Sequence, residues 1–158
     1  HKTASEIASC LVGSEMCIRD RGYYNLPLGK ACHLTQGNDL TIITYGAPVH
    51  KALEIIKKID THTFDLIDLR SLCPLDKDAI INSVKKTGKA IILQEDSMFG
   101  GLASEISSII MENCFEYLDA PVIRVASLDT PIPFEKSLED QYLPYDRFEV
   151  ELNKLLNY

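Results

Sequence analysis

The segment KAIILQEDSMFGGLASEISSIIMENCFEYLDAP, from Lys89 to Pro121, decides the fold of this chain. It begins with a short apolar run, Ala90 to Leu93, of the kind found in strands that are buried on both faces. Gly100 and Gly101 follow, and they allow a tight turn that a Cβ would obstruct. After them, apolar residues recur with a helical period. The segment therefore predicts a buried strand, a glycine turn and a long helix.

The polar side of this predicted helix is narrow. Ser104, Ser108, Glu112 and Glu116 recur at i+4 spacing and form one polar stripe. Most of the remaining circumference is apolar: Ile106, Ile109, Ile110, Cys114, Phe115, Tyr117 and Leu118. Because so little of the helix is polar, we expect it to pack on a sheet on one side and on a further partner on the other.

Strands and helices alternate on both sides of this segment. The pattern predicts an edge strand at 31–34, strands at 40–45, 64–69 and 121–126, and helices at 47–59, 76–86 and 148–156. Residues 128–144 carry several prolines and no clear period, so we expect an irregular excursion over the surface. Strands that alternate with helices predict an α/β domain whose mostly parallel sheet has helices on both faces.

Size and charge limit the class of protein. A chain of 158 residues with 46% apolar residues is one domain by length. Its net charge of −7 argues against nucleic acid and favours a basic protein partner or no charged partner. No apolar run approaches a membrane span, so we expect a soluble protein. Five cysteines without a CxxC pair predict neither disulfides nor structural zinc, and hence a reducing compartment such as the cytoplasm.

The first 21 residues do not share the pattern of the rest. Leu11 to Asp20 match, codon for codon, the in-frame translation of a transposase sequencing adapter. We therefore expect residues 1–21 to be non-native and irregular, and residues 22–158 to form the domain.

Few residues suggest chemistry. Gly100–Gly101 is the one candidate phosphate cradle, but it lacks both G-x-G-x-x-G and G-x-x-x-x-G-K. Cys73 and His50 could serve nucleophilic catalysis only if the fold brought them together, and nothing in the sequence does so. His50 is more simply a hydrogen-bonded structural residue, and the histidines lack metal spacing. Cys32, Cys73 and Cys114 are expected to pack as small apolar groups.

The acidic candidates lie near strand ends. Asp65, Asp68 and Arg70 are interpreted as an ion pair at the end of a strand. Glu95 and Asp96 follow the central strand, where open α/β sheets bind ligands, but no acid or base partner is evident for them. The residues alone therefore predict no catalytic, cofactor-binding or metal-ligating residue.

Seven motifs, in order, resemble a known family. They are LPLGKA (26–31), DLTIITYGAPVHKAL (39–53), LIDLRSLCPLD (66–76), SVKKTGKAIILQED (83–96), GGLASEI (100–106), CFEYLDAPVIRV (114–125) and DTPIPF (129–134). Together they resemble the carboxyl-terminal domain of the beta subunit of thiamine-diphosphate-dependent 2-oxo acid dehydrogenases, the transketolase C-terminal domain family. The glycine-loop and DAP motifs, with the terminal Asn157-Tyr158, are more similar to the branched-chain (2-oxoisovalerate) type than to the pyruvate type.

The resemblance implies a three-layer α/β/α fold of about five strands with one antiparallel edge strand. It implies a role in the component that decarboxylates a 2-oxo acid on thiamine diphosphate and passes the acyl group to a lipoyl arm. In that family the alpha subunit and the amino-terminal domain of beta hold the cofactor and its magnesium. We therefore expect this chain alone to bind neither and to be inactive. The expected compartment is the cytoplasm, or the mitochondrial matrix in a eukaryote.

The resemblance also implies partners. They are the alpha subunit or a fused alpha part, a second beta subunit, and the basic subunit-binding domain of the acyltransferase core. The family's docking acid lies in the DAP element and acts beside the terminal carboxylate, which are Asp119 and Tyr158 here. Gln94 stands where the family often has histidine, which puts any family contact there in doubt. Two alternatives stay open: a stand-alone small-molecule-binding module that uses the Gly100–Gly101 crevice, and the same domain of a transketolase or deoxyxylulose-phosphate synthase.

Overall fold

The computed structural model describes residues 26–158, so the prediction for residues 1–21 lies outside the described residues. The elements are β1 (Cys32–His33), β2 (Leu40–Thr44), α1 (Pro48–Ile56), β3 (Phe64–Asp68), α2 (Lys77–Thr87), β4 (Ala90–Ser97), α3 (Leu102–Cys114), a 3-10 turn (Phe115–Tyr117), β5 (Ile123–Ser127), α4 (Lys136–Tyr142) and α5 (Tyr145–Leu156). No helix in this range has the length and apolarity that crossing a membrane requires.

The five strands form one sheet in the order β1-β3-β2-β4-β5. β1 pairs antiparallel with β3, and the other three pairs are parallel. The expected mostly parallel sheet with one antiparallel edge strand is thus confirmed. Since the chain leaves β2 toward β3 and then crosses back to β4, the order of strands reverses between β2 and β4. In sheets of this type, ligands bind outside the carboxyl ends of the strands at such a point.

Helices cover both faces of the sheet, which confirms the three-layer α/β/α fold. On one face Ile42 and Leu93 pack with Phe148 of α5 and with the apolar side of α1. On the other face Ile43 packs with α2 and with Ile106 of α3. The side chains named here are 0% exposed, so a fully buried hydrophobic core lies on each face of the sheet.

Several predicted boundaries were wrong. Residues 136–142 form helix α4 and not an irregular stretch; Glu135 caps it by accepting hydrogen bonds from the backbone N–H groups of Ser137 and Leu138. This helix buries no residue, so it leaves no apolar period in the sequence. α5 begins at Tyr145, three positions before the predicted start. α3 ends at Cys114 and tightens into the 3-10 turn, from which the chain bends toward β5.

The direction of α5 fixes where the chain ends. The phenol of Tyr145, in its first turn, donates a hydrogen bond to the carboxylate of Glu95 near the carboxyl end of β4. From there α5 runs back along the sheet for 12 residues, a length of about 18 Å. Tyr158 therefore lies near the amino ends of the parallel strands, the edge at which β5 begins.

Candidate protein-docking site

The Gly100–Gly101 crevice is filled by a side chain of the chain itself. Gln94 is 0% exposed. Its Oε1 accepts a hydrogen bond of 2.7 Å from the backbone N–H of Ala103, in the first turn of α3, and its Nε2 donates to the Ser97 carbonyl at 2.8 Å. A Cβ at Gly101 would lie 2.1 Å from that Nε2. Gly101 therefore makes room for Gln94, and the helix amide that a phosphate would need is already bonded.

The acidic residues at the carboxyl end of β4 are also engaged. Glu95 accepts the hydrogen bond from Tyr145. Burial, the hydrogen bond to Glu95 and the charge of Glu95 raise the pKa of the Tyr145 phenol. Tyr145 is thus a neutral donor that holds Glu95 in place. Asp96 accepts a hydrogen bond from the Ser97 backbone N–H and is exposed.

The interpretation of Asp65 was wrong. Asp68 lies 3.9 Å from Arg70, as predicted, but Asp65 belongs to a separate buried cluster. Asp65 is 1% exposed and accepts hydrogen bonds from Lys86 (2.5 Å), His33 (2.7 Å) and the Ser83 hydroxyl (2.8 Å). Burial would raise the pKa of this carboxyl, but the three donors outweigh it and hold the pKa below its ordinary value. The cluster ties β3 to α2 and to the edge strand β1.

The remaining candidate residues, the histidine and the cysteines, do not lie together in one catalytic or metal site within the part of the chain that the structure describes. His50 is exposed, and no hydrogen bond joins its ring to another residue within 26–158, so its predicted structural role stays a prediction. Cys73 is exposed and Cys32 partly so; only Cys114 packs in a core. Within the same range, no three His, Cys, Asp or Glu side chains are placed to hold a metal ion. With Gln94 packed against Gly101, this crevice offers no open cradle for a diphosphate.

Asp119 and Tyr158 do come together. They line one cleft of about 320 Å³ at the amino edge of the sheet, whose other walls are Met111, Phe115, Leu118, Ala120 and Pro121. Both are exposed, Tyr158 at 72%. Asp119 forms no ion pair with any described residue. The cleft therefore exposes the Asp119 carboxylate beside the side chain of Tyr158.

Gly88 positions Asp119. The backbone N–H of Asp119 donates to the Gly88 carbonyl at 2.8 Å, which joins the end of α2 to the segment before β5. Gly88 has φ of 70°, and a Cβ there would lie 2.2 Å from Asp119 Oδ2. Gly88 thus ends α2 in the left-handed conformation and leaves space for the carboxylate. The sequence predicted the helix end but not this contact.

The apolar part of the cleft was only partly foreseen. Two of its walls, Phe115 and Met111, are 68% and 43% exposed, and the neighbouring Tyr117, outside the cleft, is 50% exposed, although the other side of α3 is buried. The narrow polar stripe predicted a second packing partner for this side of α3. Within residues 26–158 this side of α3 stays exposed, apart from the Lys85 ammonium, which lies 4.9 Å from the centre of the Tyr117 ring.

A second apolar surface lies at the opposite, carboxyl edge. Phe134 is 107% exposed, Phe99 87% and Ile132 69%. The Asp129 carboxylate accepts a hydrogen bond of 3.0 Å from the Phe99 backbone N–H, which joins the loops after β4 and β5. We call the exposed apolar residues of these two loops, Phe99, Leu128, Ile132 and Phe134, the carboxyl-edge surface. A further cleft, of about 390 Å³ and mostly apolar, lies between β5 and α5 and includes none of the residues predicted from the sequence.

A mostly parallel sheet of this order, with helices packed on both faces, defines a layered α/β/α domain. The transketolase C-terminal domain family matches residues 29–147, and the chain belongs to that family.

Relatives of this chain are beta subunits. It is 41% identical over 124 residues to acetoin:2,6-dichlorophenolindophenol oxidoreductase subunit beta of Bacillus subtilis, covering 77% of this chain and 36% of the relative. It is 39% identical over 139 residues to 2-oxoisovalerate dehydrogenase subunit beta of the same organism, covering 85% and 42%. It is also 39% identical over 135 residues to pyruvate dehydrogenase E1 component subunit beta of Rickettsia felis, covering 84% and 41%. The recognition of the family is confirmed.

A solved structure agrees on the fold. A split-gene transketolase, described as an inactive beta4 tetramer, superposes with a TM-score of 0.70 at 26% identity, covering 85% of this chain and 43% of that one. The chain thus spans less than half the length of these relatives. The equal identities to the oxoisovalerate and pyruvate subunits do not separate the two types, so the preference for the branched-chain type stays a prediction.

Proposed function

We propose that this chain is the carboxyl-terminal assembly domain of the beta subunit of a 2-oxo acid dehydrogenase that uses thiamine diphosphate, and that it docks the enzyme onto a basic domain of the acyltransferase core. The observation that carries the proposal is the cleft that Asp119 and Tyr158 share. Carboxylates that face arginine make charge-assisted, often bidentate hydrogen bonds. The net charge of −7 would also speed the approach of a basic partner.

Cofactor binding and catalysis belong, in this proposal, to other parts of the enzyme. The named relatives are oxidoreductase subunits, and this chain covers 36–42% of their length. The filled crevice at Gln94 supports an assembly role over the alternative of a stand-alone small-molecule module. We expect no thiamine diphosphate binding and no 2-oxo acid decarboxylation by the chain alone.

Association between beta chains is the second part of the role. The carboxyl-edge surface exposes Phe99, Ile132 and Phe134, and apolar patches of this kind mark protein interfaces. A related chain forms a beta4 tetramer, which supports a second copy of this chain as the partner at that surface. The two surfaces lie at opposite edges of the sheet, so one domain can bind a second beta chain and the acyltransferase at the same time.

Titration calorimetry tests the docking role. The chain is titrated with the subunit-binding domain of a branched-chain acyltransferase, and separately with thiamine diphosphate and Mg²⁺. We expect the basic domain to bind, and Asp119→Asn to weaken binding by at least tenfold, the loss typical of a charge pair at an interface. Asp78→Asn is the matched control, because it removes one exposed carboxylate from the first turn of α2 at the other edge of the sheet. Tight cofactor binding with no binding of the basic domain would overturn the proposal.

A further inference from the structure

Phe115 is an exposed aromatic side chain in a strongly acidic setting. It begins the 3-10 turn after α3, and Met111 lies one helical turn before it. They are 68% and 43% exposed, whereas Ile110 and Cys114, which point to the sheet, are 0% exposed. A phenylalanine can bury about 150–250 Å² in an interface, so burying this ring against a partner would add substantially to the free energy of binding.

Carboxylates surround the two apolar side chains. Asp119 lines the same cleft as Phe115, while Glu112 and Glu116 line a second cleft that Phe115 also borders. Lys85 is the basic residue of that second cleft, and its ammonium lies 4.9 Å from the centre of the Tyr117 ring. Phe115 is therefore the apolar centre of an acidic rim.

This charge pattern identifies the kind of partner. A second copy of the chain would bring the same acidic rim against itself, and like charges at an interface oppose association. A basic partner would neutralise the rim, and it could place an apolar side chain on Phe115 and Met111. Interfaces commonly combine a buried apolar centre, enriched in aromatic residues and methionine, with a polar rim.

Resting on the proposed docking role, we infer that Phe115, supported by Met111, is the anchor that sets the strength of docking and selects partners with an apolar residue flanked by basic ones. The carboxylates of the rim act on encounter and orientation, which depend on salt. The anchor acts through burial, which hardly depends on salt. The two contributions can therefore be measured separately.

The test is titration calorimetry of the full chain with the same subunit-binding domain at several NaCl concentrations. Phe115→Ala should weaken binding about tenfold or more at every salt concentration and make the heat-capacity change of binding less negative. The slope of log Kd against log salt should stay that of the original chain, whereas Asp119→Asn should flatten it. Phe115→Leu should retain most of the affinity, because it keeps an apolar side chain.

Phe134→Ala is the matched control, since it removes the same type of ring, in a still more exposed position, at the opposite edge. It should bind within twofold of the original chain. If Phe115→Ala binds as tightly as Phe134→Ala while Asp119→Asn binds more weakly, the inference that Phe115 is the anchor is wrong and the docking role stands. If the unsubstituted chain does not bind, the docking role itself fails. If Phe115→Ala instead abolishes self-association, the partner at this cleft is a second copy, and the inference is also wrong.

Discussion

Replacing Gln94 by glutamate would test whether the chain itself fills the crevice beside the glycine turn. The new side chain has the same size and keeps an acceptor for the Ala103 N–H, but it places an oxygen where Nε2 donates to the Ser97 carbonyl. The lost hydrogen bond costs about 1 kcal/mol, and burying an incompletely paired carboxylate at a site that is 0% exposed adds a similar amount or more. We expect a loss of about 2–4 kcal/mol at pH 7, or a fall in Tm of about 10 °C.

The assay is thermal or urea unfolding followed over a range of pH. Burial should raise the pKa of the introduced carboxyl in the folded state above its unfolded value. The destabilisation is then full above the folded pKa and shrinks as the pH falls toward the unfolded pKa, because the protonated acid can donate to Ser97. Gln141→Glu, the same change at an exposed position of α4, should stay within about 0.5 kcal/mol of the original chain. Equal stability of the two variants, with inorganic phosphate binding to the original chain, would refute the filled crevice.

Two further predictions concern the buried carboxylate and the carboxyl-edge surface. Asp65→Asn should lower the free energy of unfolding by about 2 kcal/mol at pH 7, a reduced figure because Lys86 and His33 are partly exposed and regain water. Since the folded pKa of Asp65 lies below its unfolded value, this stability is present above the unfolded pKa and is lost as the pH falls through the folded pKa. The stability of the variant should therefore fall less steeply in acid, and an unchanged acid limb would contradict the assignment of the buried cluster. The double variant Phe99→Ser, Phe134→Ser should remain monomeric in light scattering at concentrations where the original chain associates. Phe115→Ser, the control, should associate as the original chain does. A monomeric original chain would contradict the proposed contact between beta chains.

The sheet and its layers could be predicted because each strand carries its own signal. Short apolar runs such as Ala90 to Leu93 indicate strands that are covered on both faces, and the glycine that ends α2 is visible in the sequence. α4 could not be predicted, since a helix that buries no residue has no apolar face. The same reasoning accounts for the misplaced start of α5, whose first turn contacts Glu95 through a phenol and not through an apolar side chain.

The site was harder to predict, because its contacts join residues that are distant in sequence. Gln94 lies in β4 toward its carboxyl end, close to where ligands often bind, and only the fold shows that its partner is the first turn of α3. Asp65 lies in a strand beside Asp68, but its partners come from α2 and β1. Asp119 and Tyr158 were named from the family resemblance, and the return of α5 along the sheet is what places them in one cleft. The sequence indicated the exposure of Phe115 only indirectly, through the narrow polar stripe of the preceding helix, which predicted a second packing partner.

The most direct test of the account is to map the bound partner on the chain by NMR. The ¹⁵N-labelled chain is titrated with the basic subunit-binding domain, and the backbone amide shifts are followed. We expect the largest shifts in residues 111–121 and 156–158, the two segments that contain the residues lining the cleft of Asp119 and Tyr158. Shifts concentrated instead around Phe99 and Phe134, or the absence of any shift at saturating concentrations of the partner, would contradict it.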